Sequence, residues 1–240
     1  MEFKLSKIEL INQDNMLVDF EENSFDLIYS DMIYEDKDNL EWLDKYWKYL
    51  KVGAVYIVQT DFHSVFEVGM KMKSLPNSNF LSKLSWKNEW GKGPSKIFHY
   101  CYDDIIIFSK GKEYNFYREK IQVPKVTTNK GLNPSGRQTK TATAFIADIC
   151  LTTTAKERIF KPDGHLVKWQ KPIKLFDRIC GPFLQEGQKV LDNYMGVASL
   201  GEWCYKNNMD YVGIEYNPSN NHESFKLAQE RMDRIMKENN

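Results

Sequence analysis

Residues 190–201 read Val190-Leu191-Asp192-Asn193-Tyr194-Met195-Gly196-Val197-Ala198-Ser199-Leu200-Gly201, and Glu215 follows 14 residues after Gly201. The block describes a strand ending in a carboxylate, a turn of small residues and the start of a helix near Leu200. Tyr211-Val212-Gly213-Ile214-Glu215 then describes a second strand ending in another carboxylate. Gly196 and Ala198 let a ligand approach the backbone, and Glu215 could accept both hydroxyls of a ribose. The block admits a dinucleotide, another adenosine-bearing ligand, or a plain β-α-β turn.

Working outward, short apolar runs recur at Phe25–Tyr29, Ala54–Val58, Ile105–Phe108 and Lys189–Asp192. Such runs suit strands covered on both faces. Helical spacing lies between them, over residues 39–50, 63–74, 172–180 and 222–236. Strands alternating with helices predict an α/β, doubly wound, Rossmann-like sheet. Residues 111–165 break the rhythm, and Thr127–Thr143 is polar and basic, without periodicity. A stretch of that length inside a compact domain is usually functional or mobile.

The 240 residues carry 33 basic and 33 acidic side chains, so net charge carries no message. Its distribution does. Residues 1–50 hold 5 basic and 13 acidic groups, whereas residues 83–140 hold 12 basic and 5 acidic. A basic middle is what a local phosphate-facing surface requires, though clustered loop lysines give the same count. No apolar run approaches the roughly 20 residues that span a bilayer. MEFKLSKIEL lacks the pattern of a signal peptide. Four scattered cysteines with no C-x-x-C fit reduced thiols, so a cytoplasmic protein is expected. His99-x-Cys101 has no second pair, so no metal is expected.

Two further blocks carry chemistry. Asp31-Met32-Ile33-Tyr34 directly follows a strand, where α/β sheets bind ligands. Asp31 could accept a substrate N–H and Tyr34 could stack on a planar group; equally, Asp31 could cap a helix and Tyr34 fill core. Gln170-Lys171-Pro172 precedes a helix, with Pro172 suited to a first helical position and Lys171 able to meet an anion.

In this order the three blocks resemble the β-class amino-methyltransferases of DNA, which act on adenine-N6 or cytosine-N4. The resemblance covers Asp31–Tyr34, Gln170-Lys171-Pro172, Asp192–Ser199 with Glu215, the opening Ile8–Asp14, and the ending with Ala228 and Arg231. It implies a seven-stranded sheet with circularly permuted motif order. The catalytic half would be 1–112, an inserted target-recognition region 113–164, and the cofactor half 165–240. It implies S-adenosylmethionine as cofactor, held by Asp14, Lys171, Asp192, Tyr194, Gly196, Ala198, Ser199 and Glu215, with Lys171 near the methionine carboxylate. Asp31, the carbonyl of Met32 and the ring of Tyr34 would handle a flipped base, adenine favoured by the aspartate. Double-stranded DNA is the implied partner, with a second copy or a partner subunit as the oligomeric alternatives. Phosphate or base contacts are expected from Lys92, Lys96, Lys125, Lys130, Arg137 and Lys140. Trp86 and Trp90 are expected to fill core.

The chain departs from the family pattern at two motifs. Met32-Ile33 replaces two prolines, which should loosen the loop that aims Asp31. Asn193, Tyr194, Val197 and Ala198 stand for Pro, Phe, Ser and Gly, and Ala198 tolerates a left-handed turn poorly. These departures keep open a reading from another class, a catalytically silent DNA-binding or partner subunit on the same fold.

Overall fold

The computed structural model describes residues 6–32, 39–92, 98–125, 137–152 and 154–238, with backbone alone over 88–92. Its strands are β1 (Ile8–Ile11), β2 (Phe25–Asp31), β3 (Leu50–Thr60), β4 (Ser78–Lys92), β5 (Tyr100–Lys110), β6 (Gln122–Pro124), β7 (Thr139–Thr141), β8 (Phe145–Ile146), β9 (Lys189–Asp192) and β10 (Asp210–Ile214). Its helices are α1 (Glu41–Tyr49), α2 (Val65–Ser74), α3 (Ile173–Ile179), α4 (Ser199–Lys206) and α5 (Glu223–Glu238).

Eight strands form one sheet in the order β1-β10-β9-β2-β3-β5-β4-β8. The first five are parallel, while β5 runs antiparallel to both β3 and β4. The resemblance implies seven strands, and the sheet has one more: β8, which pairs through Phe145 and Ile146 with Ser85 and Trp86 of β4. Among the described residues no helix is long and apolar enough to cross a membrane.

Side-chain alternation sorts the core into two layers. Leu27, Tyr29, Val55, Ile57, Ile105 and Ile107 face α3, α4 and α5. Phe25, Ile28, Tyr56, Val58, Ile106 and Phe108 face α1 and α2. Each central strand is therefore buried on both sides, which is why these runs are continuously apolar. The longest strand, β4, was not among the expected elements. Its signal is the period-two pattern Leu84 and Trp86 inward against Lys83 and Lys87 outward. Trp86 is core as expected, with its indole N–H donating to the Ile149 carbonyl at 2.8 Å. Pro172 sits one residue before the helix, as the N-cap of α3 rather than its first residue.

Helix α4 lies close against β10. A Cβ built on Gly201 would meet Tyr211 Cε1 at 2.8 Å, and that ring is buried with its hydroxyl donating to Asp192 at 3.3 Å. By contrast, a Cβ on Gly69 of α2 would meet Ile106 at 3.7 Å, an ordinary contact. Gly201→Ala is therefore expected to cost about 1–3 kcal/mol from overpacking. Gly69→Ala should gain about 0.5–1 kcal/mol from helix propensity. Urea unfolding of both variants measures the contrast.

Candidate active site

The parallel pairing of β2 with β9 sets Tyr29 beside Asp192, the last residue of β9, and β2 runs two residues further to Asp31 at the same edge of the sheet. Past their ends opens a cavity of about 690 Å³, in the size range of a small-molecule site. Asp31 and Met32 line it from the β2 side. Asp14, Lys171, Asp192, Tyr194, Gly196, Ser199 and Glu215 line it from the other. Ala198 lies beneath, fully buried, at φ 54° and ψ 42°. The left-handed turn is thus kept with an alanine, at the steric cost anticipated for that residue.

Each wall has a local cause. Asp14 caps the short 3-10 helix Asn15–Leu17 by accepting from the Met16 N–H at 2.8 Å. Glu215 follows β10, its carboxylate accepting from Gly196 N–H at 2.9 Å. Burial raises its pKa above the ordinary glutamate value, against the lowering pull of that hydrogen bond. Tyr194 meets Trp42 edge to face, ring centroids 5.4 Å apart, making an aromatic wall. Asp192 is fully enclosed, and burial holds its pKa well above the usual carboxylate range. The turn is latched from below by Arg231 of α5, itself buried. Its guanidinium donates to Glu202 at 2.6 Å, to the Val197 carbonyl at 3.1 Å and to Ser199 Oγ at 2.9 Å.

Lys171 pairs with Asp31, Nζ to Oδ2 at 2.6 Å, with side chains 8% and 18% exposed. It was expected beside a ligand carboxylate, and in this structure it holds the catalytic candidate. Burial by itself would lower the Lys171 pKa; Asp31, then Asp103 and Asp192, outweigh it, so the net shift is upward. Gln170 fixes the lysine's approach, accepting from Ile159 N–H at 2.9 Å and donating to the Glu157 carbonyl at 2.6 Å. Trp169, the preceding residue, is 65% exposed at the cavity wall. Asp103 is bound in turn by Gln59 Nε2 at 2.9 Å, and Gln59 Oε1 accepts from the Tyr29 hydroxyl at 2.7 Å. Trp169, Gln59 and Asp103 were missed in the sequence. Buried glutamine on an apolar strand is the signal that could have found Gln59.

The three basic candidates whose side chains are described do not line this cavity. Lys125, Arg137 and Lys140 gather on the two-stranded ribbon β6–β7, where Lys125 N–H donates to the Gln138 carbonyl and Lys140 pairs with Val123. The chain entering this ribbon is tied to Pro182 and Leu184, beyond the C-terminal end of α3. Lys171 lies before the other end of that helix, which is about 10 Å long at 1.5 Å per helical residue. Tyr34, Lys96 and Lys130 lie outside the described residues, as does the side chain of Lys92.

Removing the ammonium breaks the ion pair with Asp31 and takes away the charge on which Asp103 and Asp192 act. Lys171→Met should therefore cost about 3–5 kcal/mol at neutral pH, the usual penalty for breaking a buried pair. Chemical denaturation of the variant against wild type measures the loss.

Comparison with known proteins bears on the same residues. A DNA methylase family, of the N6/N4 type, matches residues 25–226. The type II methyltransferase M.HpaI of Haemophilus parainfluenzae is 28% identical, over 92% of this chain and 72% of that protein. The crystal structure of an M1.HpyAVI–SAM complex superposes with a TM-score of 0.64 at 15% identity, covering 93% of this chain and 99% of the other. The cytosine-N4-specific PvuII DNA methyltransferase superposes with a TM-score of 0.66 at 14% identity, covering 97% and 93%. With the permuted motifs meeting at one cavity and the match spanning most of its length, the chain belongs to the N6/N4 DNA methylase family.

Proposed function

We propose that the protein transfers a methyl group from S-adenosylmethionine to an exocyclic amine of a base in double-stranded DNA, adenine-N6 in preference to cytosine-N4. The observation that carries the reading is the shared cavity, bordered by Asp31 on one side and by the Asp192–Ser199 turn and Glu215 on the other. Its volume of about 690 Å³ accommodates a nucleoside-sized cofactor with room beside it. The preference for adenine rests on Asp31 and on the family resemblance. The division into a catalytic half 1–112, a target-recognition insert 113–164 and a cofactor half 165–240 is part of the same reading.

When bound, the cofactor supplies an electrophilic methyl carried on a sulfonium, which departs as a neutral thioether. The chain's own residues do the rest. Glu215 accepts hydrogen bonds from the ribose hydroxyls, and Tyr194 with Trp42 walls the adenine side. An exocyclic amine is a poor nucleophile because its lone pair is delocalised into the ring. Asp31 and the Met32 carbonyl accept hydrogen bonds from its two N–H groups, which draws the nitrogen toward a tetrahedral shape and frees the lone pair for in-line attack. The methylated nitrogen then gives up one of those protons, by way of the Asp31 carboxylate, to solvent. Tyr34 stacks on the flipped base. Most of the acceleration comes from positioning and fixed dipoles. Lys125, Arg137 and Lys140 contact phosphates or bases through the ribbon.

Labelled cofactor should transfer its methyl to unmodified DNA, with N6-methyladenine as the main product on nucleoside analysis. Asp31→Ala should abolish transfer while calorimetry still detects cofactor binding. Binding of cofactor without any labelling by wild type would leave only the silent-subunit reading.

Cofactor affinity should also respond to acid. Protonated Glu215 loses acceptor capacity, and its raised pKa brings protonation in at a higher pH than for an ordinary glutamate. Affinity should therefore fall as pH drops, starting above the usual carboxylate range, and Glu215→Gln should flatten that part of the profile. Calorimetric titrations across pH 4–8 would check this.

A further inference from the structure

We infer that Asn193 is a positioning residue that ties the cofactor turn to the catalytic strand and, with Met32, replaces the restraint that prolines give in the family pattern. The inference rests on the methyltransferase reading above and deepens it.

Three observations converge. First, Ser30, immediately before Asp31, donates its hydroxyl to Asn193 Oδ1, and Ser30 Oγ also meets the Tyr56 hydroxyl at 3.0 Å. All three side chains are buried, at 0%, 1% and 0% exposure for Ser30, Asn193 and Tyr56. Proline at 193 could make no such bond. Second, Asn193 Nδ2 is enclosed without a hydrogen-bond partner. Burying an unpaired amide N–H is unfavourable, so the site tolerates a group that proline would not impose there. The Ser30 bond is what the structure sets against that cost. Third, Met32 N–H donates to the Gln59 carbonyl at 3.3 Å, and the Met32 side chain is 3% exposed among Trp42, Leu43 and their neighbours. Proline at 32 has no N–H to donate.

Asp31 is thus clamped on both sides along the chain, by Ser30 to the cofactor turn and by Met32 to β3. The Asn193 contact crosses from the catalytic strand to the turn bordering the cofactor. The Asn15 side-chain amide also donates to the Asn193 carbonyl at 3.1 Å, fixing the backbone of that turn. Residue 193 would therefore help set how Asp31 faces a cofactor held by the turn. The two departures from the family pattern compensate each other, and the described start of the motif, Asp31 and Met32, is held by hydrogen bonds and burial.

The test uses the full chain with Asn193→Leu, which keeps the branching at Cγ and removes the amide, and Ser30→Ala, which removes the other partner. Hydrogen–deuterium exchange of the segment ending at Met32 is read beside kinetics and cofactor calorimetry. Both variants should speed exchange at Asp31 and Met32 about tenfold or more, with protection retained in β5 and β10. On DNA they should lower kcat about 10–100-fold, as expected for a displacement near 1 Å. For Ser30→Ala, cofactor Kd should stay within about threefold. The double variant should cost no more than Ser30→Ala alone, which already removes the Asn193 contact along with the one to Tyr56. Unchanged exchange at Asp31 and Met32 overturns the inference, as does faster exchange spread evenly over the sheet. Wild-type protein that labels no DNA removes the methylation reading instead, while the exchange data still decide the Asn193 contact.

Discussion

The side-by-side, parallel pairing of β2 with β9 is the constraint on which the rest depends. About 160 residues of sequence separate these strands, yet Leu27, Ile28 and Tyr29 sit in register with Val190, Leu191 and Asp192. That register decides where each strand stops. Both stop at the same edge, so a carboxylate from the first half and a small-residue turn from the second border one space. Sheet closure carries its own entropic cost, because non-local parallel pairs must wait for long loops to close. Two apolar layers offset it, one under α1 and α2 and the other under α3, α4 and α5.

Charge is arranged on top of that frame. Lys171 is nearly enclosed and draws Asp31, with Asp103 and Asp192 near enough to act on it electrostatically. A buried ammonium is tolerable only with such company. Its position just before α3 lets one short helix set it, while Gln170 stitches the preceding loop to the same end. The far side of the cavity relies on a second enclosed cation. Arg231 belongs to the outermost helix, yet it grips the turn itself through Val197 and Ser199. Burial pushes the Glu202 carboxyl up, but Arg231 and Lys206 outweigh it and hold it below the ordinary range. The two cations thus bracket the cleft, one aiming a carboxylate and one keeping a strained turn in shape.

Much of this was legible in the residues. The central strands announced themselves because burial on both faces removes every polar position, and Asp192 and Glu215 marked strand ends by breaking those runs. The helices followed from three-and-four spacing. What stayed hidden was of another kind. Strand β4 alternates rather than runs apolar, because one of its faces stays open to solvent over Lys83 and Lys87. Strand β8 has only two residues and exists because β4 offers it an edge. The Lys171–Asp31 pair could not be seen, since each residue had its own local reading and only tertiary geometry joins them. The basic residues of the insert were identified by composition. Composition cannot say that Lys125, Arg137 and Lys140 meet on a ribbon anchored beyond α3.

The exposed indole of Trp169 has an optical consequence. Trp42, Trp47, Trp86 and Trp203 are each no more than 6% exposed. Trp169 is 65% exposed and borders the cleft. A soluble quencher such as iodide reaches a solvent-facing indole and leaves enclosed ones bright. Whatever fills the cleft and shields that ring changes the quenchable share of the emission. The molecule thus carries a fluorescent gauge of its own occupancy, one residue from the lysine that aims Asp31.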